Sequence, residues 1–210
     1  MGGKVLDSSI PNLREDTLSS LIFKNAAVRG TKTAIREKDL GIWQSWSWAN
    51  VAEEVKLLAG GLAAKGYVRG KNLAIIGDNR PRLYWSFAAS QSLGGVPVPL
   101  YQDAIADEMI YVFNDAEIEF AIVEDQEQVD KLLEIMPQCD KLRCIIYDDP
   151  RGMRHYDHPA VMAYEDVREL GSKLLNEQPN FIDDELSKCH TDDVSVILYT
   201  SGTTSKPKGV

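Results

Sequence analysis

The stretch NLAIIGDNRPRLYWSFAASQSLGGVPVPL, residues 72–100, contains the pattern on which the fold prediction depends. It opens with a short continuous apolar run, which is typical of a strand buried on both faces of a sheet. Pro81 suits the first turn of a helix, and Gly94 and Gly95 end that helix before a second apolar strand. Prolines in this second strand, at 97 and 99, indicate a sheet edge or a strand start, because proline has no N–H to donate. The stretch therefore predicts a strand–helix–strand unit.

The same alternation continues on both sides of this unit. We predict further helices at 17–29, 48–65, 107–115, 126–136 and 164–176, and strands at 33–36, 42–46, 120–123, 144–147 and 194–199. The first of these helices is predicted to be amphipathic, with Leu18, Leu21, Ile22 and Ala26 on its apolar face. Ser47 is placed to cap the second helix, and Gly66 to end it. Strands and helices of these lengths indicate an α/β fold with a largely parallel sheet and flanking helices. The segments 148–158 and 179–193 are predicted to be loops.

Composition narrows the classes of function. The chain has 210 residues, 44% of them hydrophobic and 26% charged, which is enough for a sizeable core. Its net charge of −9 disfavours a nucleic-acid partner and attraction to anionic lipid. The uncharged stretch 83–102 contains too much Gly, Pro and Ser for a transmembrane helix, so we expect none, and peripheral membrane association stays open.

The cysteines indicate a reducing compartment. Cys139, Cys144 and Cys189 are odd in number and lack a CxxC spacing, so they predict free thiols rather than a disulfide framework. Residues 1–10 contain no apolar run of the length that a secretory signal needs. We therefore expect a cytoplasmic protein.

Other side-chain groups are weaker candidates for chemistry. His155 and His158 flank Asp157 but have no further ligand nearby in sequence, so loop histidines are favoured over a metal site. A nucleophilic pair of Cys189 and His190 would need a spatial arrangement that neighbours in sequence rarely have. The tryptophans at 43, 46 and 48 are predicted to pack in the core rather than stack on a ligand. The glycines at 60 and 61 are predicted to permit close helix packing.

The segment YTSGTTSKPKGV, residues 199–210, is the strongest candidate for a functional site. Small residues let a backbone approach a ligand closely, and successive N–H groups in such a loop can bind an anion. The position after a strand of a parallel sheet is where ligands bind in this class of fold. The Walker pattern does not fit, because Pro207 occupies the place of its second glycine. A hydroxyl-rich loop that binds nothing is the alternative. The hydroxyls come from Thr200, Ser201, Thr203 and Thr204, and the positive charges from Lys206 and Lys208.

This segment resembles the phosphate loop of the adenylate-forming superfamily, which includes acyl-CoA synthetases, luciferases and peptide-synthetase adenylation domains. That loop reads Y-T-S-G-T-T-G-x-P-K-G-V, and the chain departs from it at Ser205, where the family usually has Gly. The segments 46–51 and 93–101 resemble an early helix-opening segment and a core strand of the family. The segment 76–81 resembles a loop of long-chain fatty acyl-CoA synthetases.

The resemblance implies a ligase that joins a carboxylate to ATP and then transfers the acyl group to coenzyme A, with Mg²⁺ bridging the phosphates. It implies no catalytic and no metal-binding residue within this chain. Its implied substrates are a fatty acid, ATP and coenzyme A. Its implied phosphate-binding residues are Thr200, Ser201, Gly202, Thr203, Thr204, Lys208 and Gly209.

By the same resemblance, residues 1–210 form about the first half of a large N-terminal AMP-binding domain that ends in the loop 199–210. The acyl pocket, a magnesium-binding Glu, a ribose-binding Asp and a catalytic Lys would lie further on. We therefore expect no ligase turnover from these residues alone. An aryl- or short-chain acyl-CoA ligase, and a non-catalytic nucleotide-binding or interaction module of the same fold, remain alternatives. The oligomeric state stays open.

Overall fold

A computed structural model describes residues 17–200 and 207–210 of the chain. Its helices are α1 (Leu18–Arg29), α2 (Trp48–Ala64), α3 (Pro81–Ser92), α4 (Ala106–Asp115), α5 (Gln126–Ile135), α6 (Tyr164–Glu177) and α7 (Phe181–Leu186). Its strands are β1 (Thr33–Asp39), β2 (Ile42–Ser47), β3 (Asn72–Ile76), β4 (Val96–Leu100), β5 (Phe120–Val123), β6 (Cys144–Tyr147), β7 (Val161–Ala163), β8 (Tyr199–Thr200) and β9 (Lys208–Gly209).

The central sheet has the strand order β4-β3-β5-β6-β7, and all of its pairs are parallel. Alternate residues of each strand face opposite sides. Leu73 and Ile75 of β3 therefore join a cluster with α2, α3, α6 and α7, whereas Ala74 and Ile76 join a cluster with α4 and α5. Two apolar layers cover the sheet, which confirms the predicted α/β fold and explains the unbroken apolar runs.

Local sequence signals account for several element ends. The hydroxyl of Ser47 accepts a hydrogen bond from the Asn50 N–H at 3.2 Å, and the Asn50 side chain accepts one from the Ser47 N–H at 3.0 Å. This reciprocal capping box starts α2 as predicted. Gly66 follows the end of α2 with φ +86°, a conformation that glycine adopts without strain. Strand β4 lies at the sheet edge, as its prolines predicted.

Glycines bring α2 and α6 into close contact, as predicted for residues 60 and 61. A Cβ on Gly61 would lie 2.0 Å from the Val167 carbonyl oxygen, and one on Gly171 would lie 1.8 Å from the Leu57 carbonyl oxygen. Neither distance can accommodate a side chain without moving a helix. Gly60 is less constrained, since its Cβ would lie 3.1 Å from the Gly171 Cα.

Four sequence expectations were wrong in part. The segment 179–193 is not all loop, because Ile182 and Leu186 bury one side of α7 against the core. Of the expected strand 194–199, only Tyr199 is in a strand, and this strand, β8, pairs antiparallel with β9 outside the central sheet. In α1, Leu18 and Leu21 are exposed, and its buried residues are serines. Trp43 is exposed rather than in the core. The short strand β7 was not anticipated.

The neighbouring glycines of α2 provide a matched test of this packing. We expect Gly61→Ala to lower the free energy of unfolding by about 2–3 kcal/mol, because the added methyl overlaps the backbone of α6. Gly60→Ala should have a small effect, because its mild crowding is offset by about 1 kcal/mol of gained helix propensity. Urea denaturation followed by circular dichroism measures both. Equal effects of the two substitutions would contradict the packing described.

Candidate functional site

The carboxyl ends of β3 and β4 open onto a cleft of about 720 Å³. The loop after β3 lines one part of it through Gly77, Asp78 and Asn79, and the residues after β4 line another. The third wall is the chain at 198–200, which includes Thr200. The cleft thus occupies the edge where open parallel sheets bind ligands.

Strands β8 and β9 form an antiparallel hairpin whose ladder pairs Tyr199 with Gly209 and Thr200 with Lys208. A pair of 2.9 Å backbone hydrogen bonds between Leu198 and Val210 extends the ladder by one residue pair. Thr200 and Lys208 are both exposed. The hairpin therefore brings a hydroxyl and a positive charge together at the two ends of the segment 201–206.

Among the residues that the structure describes, two hydrogen bonds attach the hairpin and the residue just before it to the rest of the chain. The Ile197 N–H donates to the Pro97 carbonyl of edge strand β4 at 3.1 Å. The Tyr199 hydroxyl donates to Asp115 Oδ2, at the end of α4, at 2.6 Å. Burial and the Asp115 carboxylate raise the pKa of Tyr199, so its phenol stays protonated, and keeps donating, to higher pH than an ordinary tyrosine. Neither contact was found from sequence, because each joins residues far apart in the chain.

Glu124, directly after β5, holds the loop that follows β3. Its Oε2 accepts a hydrogen bond from the Asp78 N–H at 2.6 Å, and its Oε1 accepts one from Arg80 Nε. Glu124 is only 8% exposed, and a buried carboxylate is costly unless it is hydrogen-bonded. Gly77 permits this approach, since a Cβ there would lie 2.6 Å from the Glu124 Cβ. Glu124 therefore fixes the loop after β3, which forms one wall of the cleft.

The predicted site residues fall into two groups. Thr200, Lys208 and Gly209 are brought together by the hairpin. The remaining predicted phosphate-binding residues lie outside the described part of the chain, as do Ser205 and Lys206. Those remaining residues are Ser201, Gly202, Thr203 and Thr204.

The histidine and cysteine candidates from the sequence make hydrogen bonds within their own loops and with neighbouring backbone. The His158 Nδ1 accepts a hydrogen bond from the Ala160 N–H at 3.2 Å. The thiol of Cys189 lies 3.5 Å from the carbonyl oxygens of Gln91 and Glu185, and the His190 N–H donates to Asp193. All three thiols are free. Within residues 17–200 and 207–210, no group of three or more His, Cys, Asp or Glu side chains is arranged to hold a metal ion. In the same residues, no helix is both long and apolar enough to cross a bilayer.

Comparison with protein families gives one match, over residues 22–210, to the model described as AMP-binding enzyme. The chain belongs to the AMP-binding enzyme family. The match includes the whole sheet, the hairpin and the segment 201–206. The AMP-binding assignment thus agrees with the resemblance carried by residues 199–210.

Curated relatives of this AMP-binding chain are acid–CoA ligases by name. It is 26% identical over 205 residues to a long-chain-fatty-acid–CoA ligase of Xenopus laevis, an alignment that covers 97% of this chain and 27% of the relative. It is 31% identical over 199 residues to 4-hydroxybutyrate–CoA ligase 2 of Metallosphaera sedula, covering 92% of this chain and 34% of the relative. The chain thus spans about a quarter to a third of the length of these relatives.

Solved structures share the fold. The anthranilate CoA ligase AuaEII, in complex with anthranoyl-AMP, matches with a TM-score of 0.73 and 20% identity over 91% of this chain and 33% of that chain. A long-chain-fatty-acid-CoA ligase, FadD1 from Archaeoglobus fulgidus, matches with a TM-score of 0.68 and 20% identity over 91% of this chain and 35% of that chain. At this level of identity, the likeness concerns the fold alone.

The bond between Tyr199 and Asp115 is testable through the hairpin that it anchors. We expect Tyr199→Phe to speed amide hydrogen exchange at Leu198 and Val210 by about fivefold, because a partly exposed bond to a charged group contributes roughly 1 kcal/mol. Tyr111→Phe is the matched control, since Tyr111 contacts the same carboxylate at a longer 3.4 Å. Exchange rates that respond equally to both substitutions, or to neither, would show that Asp115 does not anchor the hairpin.

Proposed function

We propose that this chain supplies the phosphate-binding part of an ATP-dependent acid–CoA ligase, with long-chain fatty acids as the preferred substrate class. On this proposal, residues 1–210 are part of a larger AMP-binding domain and have no ligase turnover by themselves. The observation that carries the proposal is the pairing of Thr200 with Lys208 beside the cleft at the carboxyl edge of the parallel sheet.

The chemistry of these residues fits a polyphosphate. Exposed Lys208 provides a positive charge, Thr200 a hydroxyl donor, and Gly209 a backbone without a side chain. Gly209 also has little room for one, since a Cβ there would lie 3.0 Å from the Ile197 Cγ2. The segment between them adds Ser201, Gly202, Thr203 and Thr204, whose hydroxyls and N–H groups are further donors for phosphate oxygens. Mg²⁺ would enter with the nucleotide and neutralise phosphate charge.

In the proposed reaction, an oxygen of the acid attacks the α-phosphorus of ATP, and pyrophosphate leaves. The thiol of coenzyme A then attacks the acyl carbon and displaces AMP. The contribution of this chain is to hold the β- and γ-phosphates, so that the negative charge developing on the leaving pyrophosphate is stabilised. The hairpin places Thr200 and Lys208 opposite each other before a ligand binds, so these two residues need not be brought together on binding.

Two observations bear on the acid. The names of the first relatives, together with the loop at 76–81, support a long-chain acid. The higher identity to a 4-hydroxybutyrate–CoA ligase supports a short-chain acid as the second candidate. The residues that would form the acyl pocket are proposed to lie outside this chain. We further propose a cytoplasmic location, on the basis of the three free thiols.

Pyrophosphate exchange into ATP, measured with the full-length protein and acids of graded chain length, tests the proposal. We expect exchange with long-chain acids, lowered between about tenfold and 100-fold by Lys208→Ala and by Thr204→Ala, because each substitution removes a donor from the leaving phosphates. Lys173→Ala, which removes an exposed charge on α6, is the control and should leave exchange unchanged.

Exchange only with short or aryl acids would replace the long-chain proposal with the second candidate. Absence of exchange with every acid, from a folded protein supplied with Mg²⁺, would favour a non-catalytic nucleotide-binding module. In that case Ser205→Gly, which restores the usual family residue, would test whether loop geometry is the cause.

A further inference from the structure

The tip of the hairpin formed by β1 and β2 exposes three large apolar side chains close together in sequence. Leu40 is 92% exposed, Ile42 65% and Trp43 57%. Single exposed apolar residues are ordinary on a protein surface, but a group of three at the turn of one hairpin indicates a contact surface.

Leu40 has a backbone conformation that leucine rarely adopts. Its φ is +46°, in the left-handed region, and Gly41 follows with φ +81°. A two-residue turn with both φ values positive favours Asn-Gly or Asp-Gly, because a bulky side chain is strained there. Leu40 is therefore both strained in its backbone and the most exposed apolar residue of the hairpin.

The base of this hairpin is held firmly on the core, so its tip has a defined direction. The indoles of Trp46 and Trp85 are in edge contact, with ring centroids 5.7 Å apart. Glu37 accepts a hydrogen bond from Arg80 at 3.2 Å. These two contacts therefore anchor the hairpin that carries the apolar tip.

We propose that the tip, defined as Leu40, Ile42 and Trp43, inserts into the surface of a zwitterionic lipid bilayer. Three side chains by themselves are too small for a stable protein–protein interface, which buries about 800 Å² on each partner. A bilayer requires no complementary pocket. Trp43 suits the headgroup region, where tryptophan concentrates, and Leu40 and Ile42 suit the acyl boundary below it.

The charges around the tip favour neutral rather than anionic lipid. Segment 36–43 contains two basic residues, Arg36 and Lys38, and two acidic residues, Glu37 and Asp39, so its formal charge is zero. The Arg36 guanidinium lies 4.5 Å from the centroid of the Trp43 ring, where it can reach a phosphate while its stem stays on apolar surface. The chain as a whole carries −9, which opposes any gain from anionic lipid.

Sedimentation of the full-length protein with phosphatidylcholine vesicles tests this proposal independently of ligase activity. We expect Leu40→Asn to weaken vesicle binding by about tenfold, because one leucine leaves the apolar phase. The same substitution should raise the thermal unfolding midpoint, since Asn tolerates a positive φ. Ile42→Ser, which leaves both turn residues intact, should also weaken binding. Val68→Asn is the matched control, because Val68 is similarly exposed at 54% but lies elsewhere.

Depth of insertion gives a second readout. Phosphatidylcholine with brominated acyl chains should quench part of the tryptophan fluorescence, and Trp43→Phe should abolish that quenching while retaining binding. Vesicles that contain phosphatidylglycerol should bind no more tightly.

Three results would overturn the proposal: no binding to phosphatidylcholine, binding that Leu40→Asn and Ile42→Ser leave unchanged, or binding that appears only with anionic lipid. A change in the protein's own oligomeric mass on Leu40→Asn would also overturn it, since the tip would then occupy a contact between copies.

Discussion

The functional edge of this molecule depends on the parallel direction of all strands in its central sheet. Parallel strands present their carboxyl ends at the same edge, so the loops after β3, β4, β5 and β6 converge there. The helices that return the chain cover both faces, and the buried apolar layers make the sheet resistant to local opening. The loops, by contrast, are free to carry polar residues. A rigid support with variable loops at one edge is how this class of fold builds binding sites.

Among the described residues, contacts of Ile197 and Tyr199 attach the hairpin to that edge. Its ladder is short, and the sheet contributes the Pro97 carbonyl as an acceptor. The bond from Tyr199 to Asp115 connects the hairpin to α4, in the helix layer against which Ile197 and Tyr199 also pack. These contacts position Thr200 and Lys208, the described residues on either side of the segment 201–206, beside the cleft.

Much of the fold could be predicted from sequence because its signals are local. The apolar run 73–76, the capping residue Ser47 and the stop at Gly66 each report on a few neighbouring residues, and each was confirmed. The failures have a different origin. Leu18 and Trp43 look like core residues by type, and only the arrangement of distant elements decides that they face outward. Helix α7 was missed because its acidic run conceals the buried pair Ile182 and Leu186.

The prediction of a phosphate-binding site came from residues 199–210, through their hydroxyls, glycines and lysines and their resemblance to the phosphate loop of the family. Composition alone left a loop that binds nothing as the alternative. The residues that fix its surroundings, Asp115 and Glu124, are ordinary carboxylates in sequence, and only their position in space gives them a role. The sequence therefore indicated the groups proposed to contact the ligand, but not Asp115 and Glu124, which hold the surrounding loops in position.

We propose that residues 199–210 hold the β- and γ-phosphates of ATP, and calorimetric titration of the full-length protein with ATP, ADP and AMP in the presence of Mg²⁺ measures this. We expect the affinity to fall in that order, and Lys208→Ala to bring the three affinities closer together, because the lost charge acts on the terminal phosphates. Equal affinities for ATP and AMP in the unaltered protein would show that these residues do not hold the terminal phosphates.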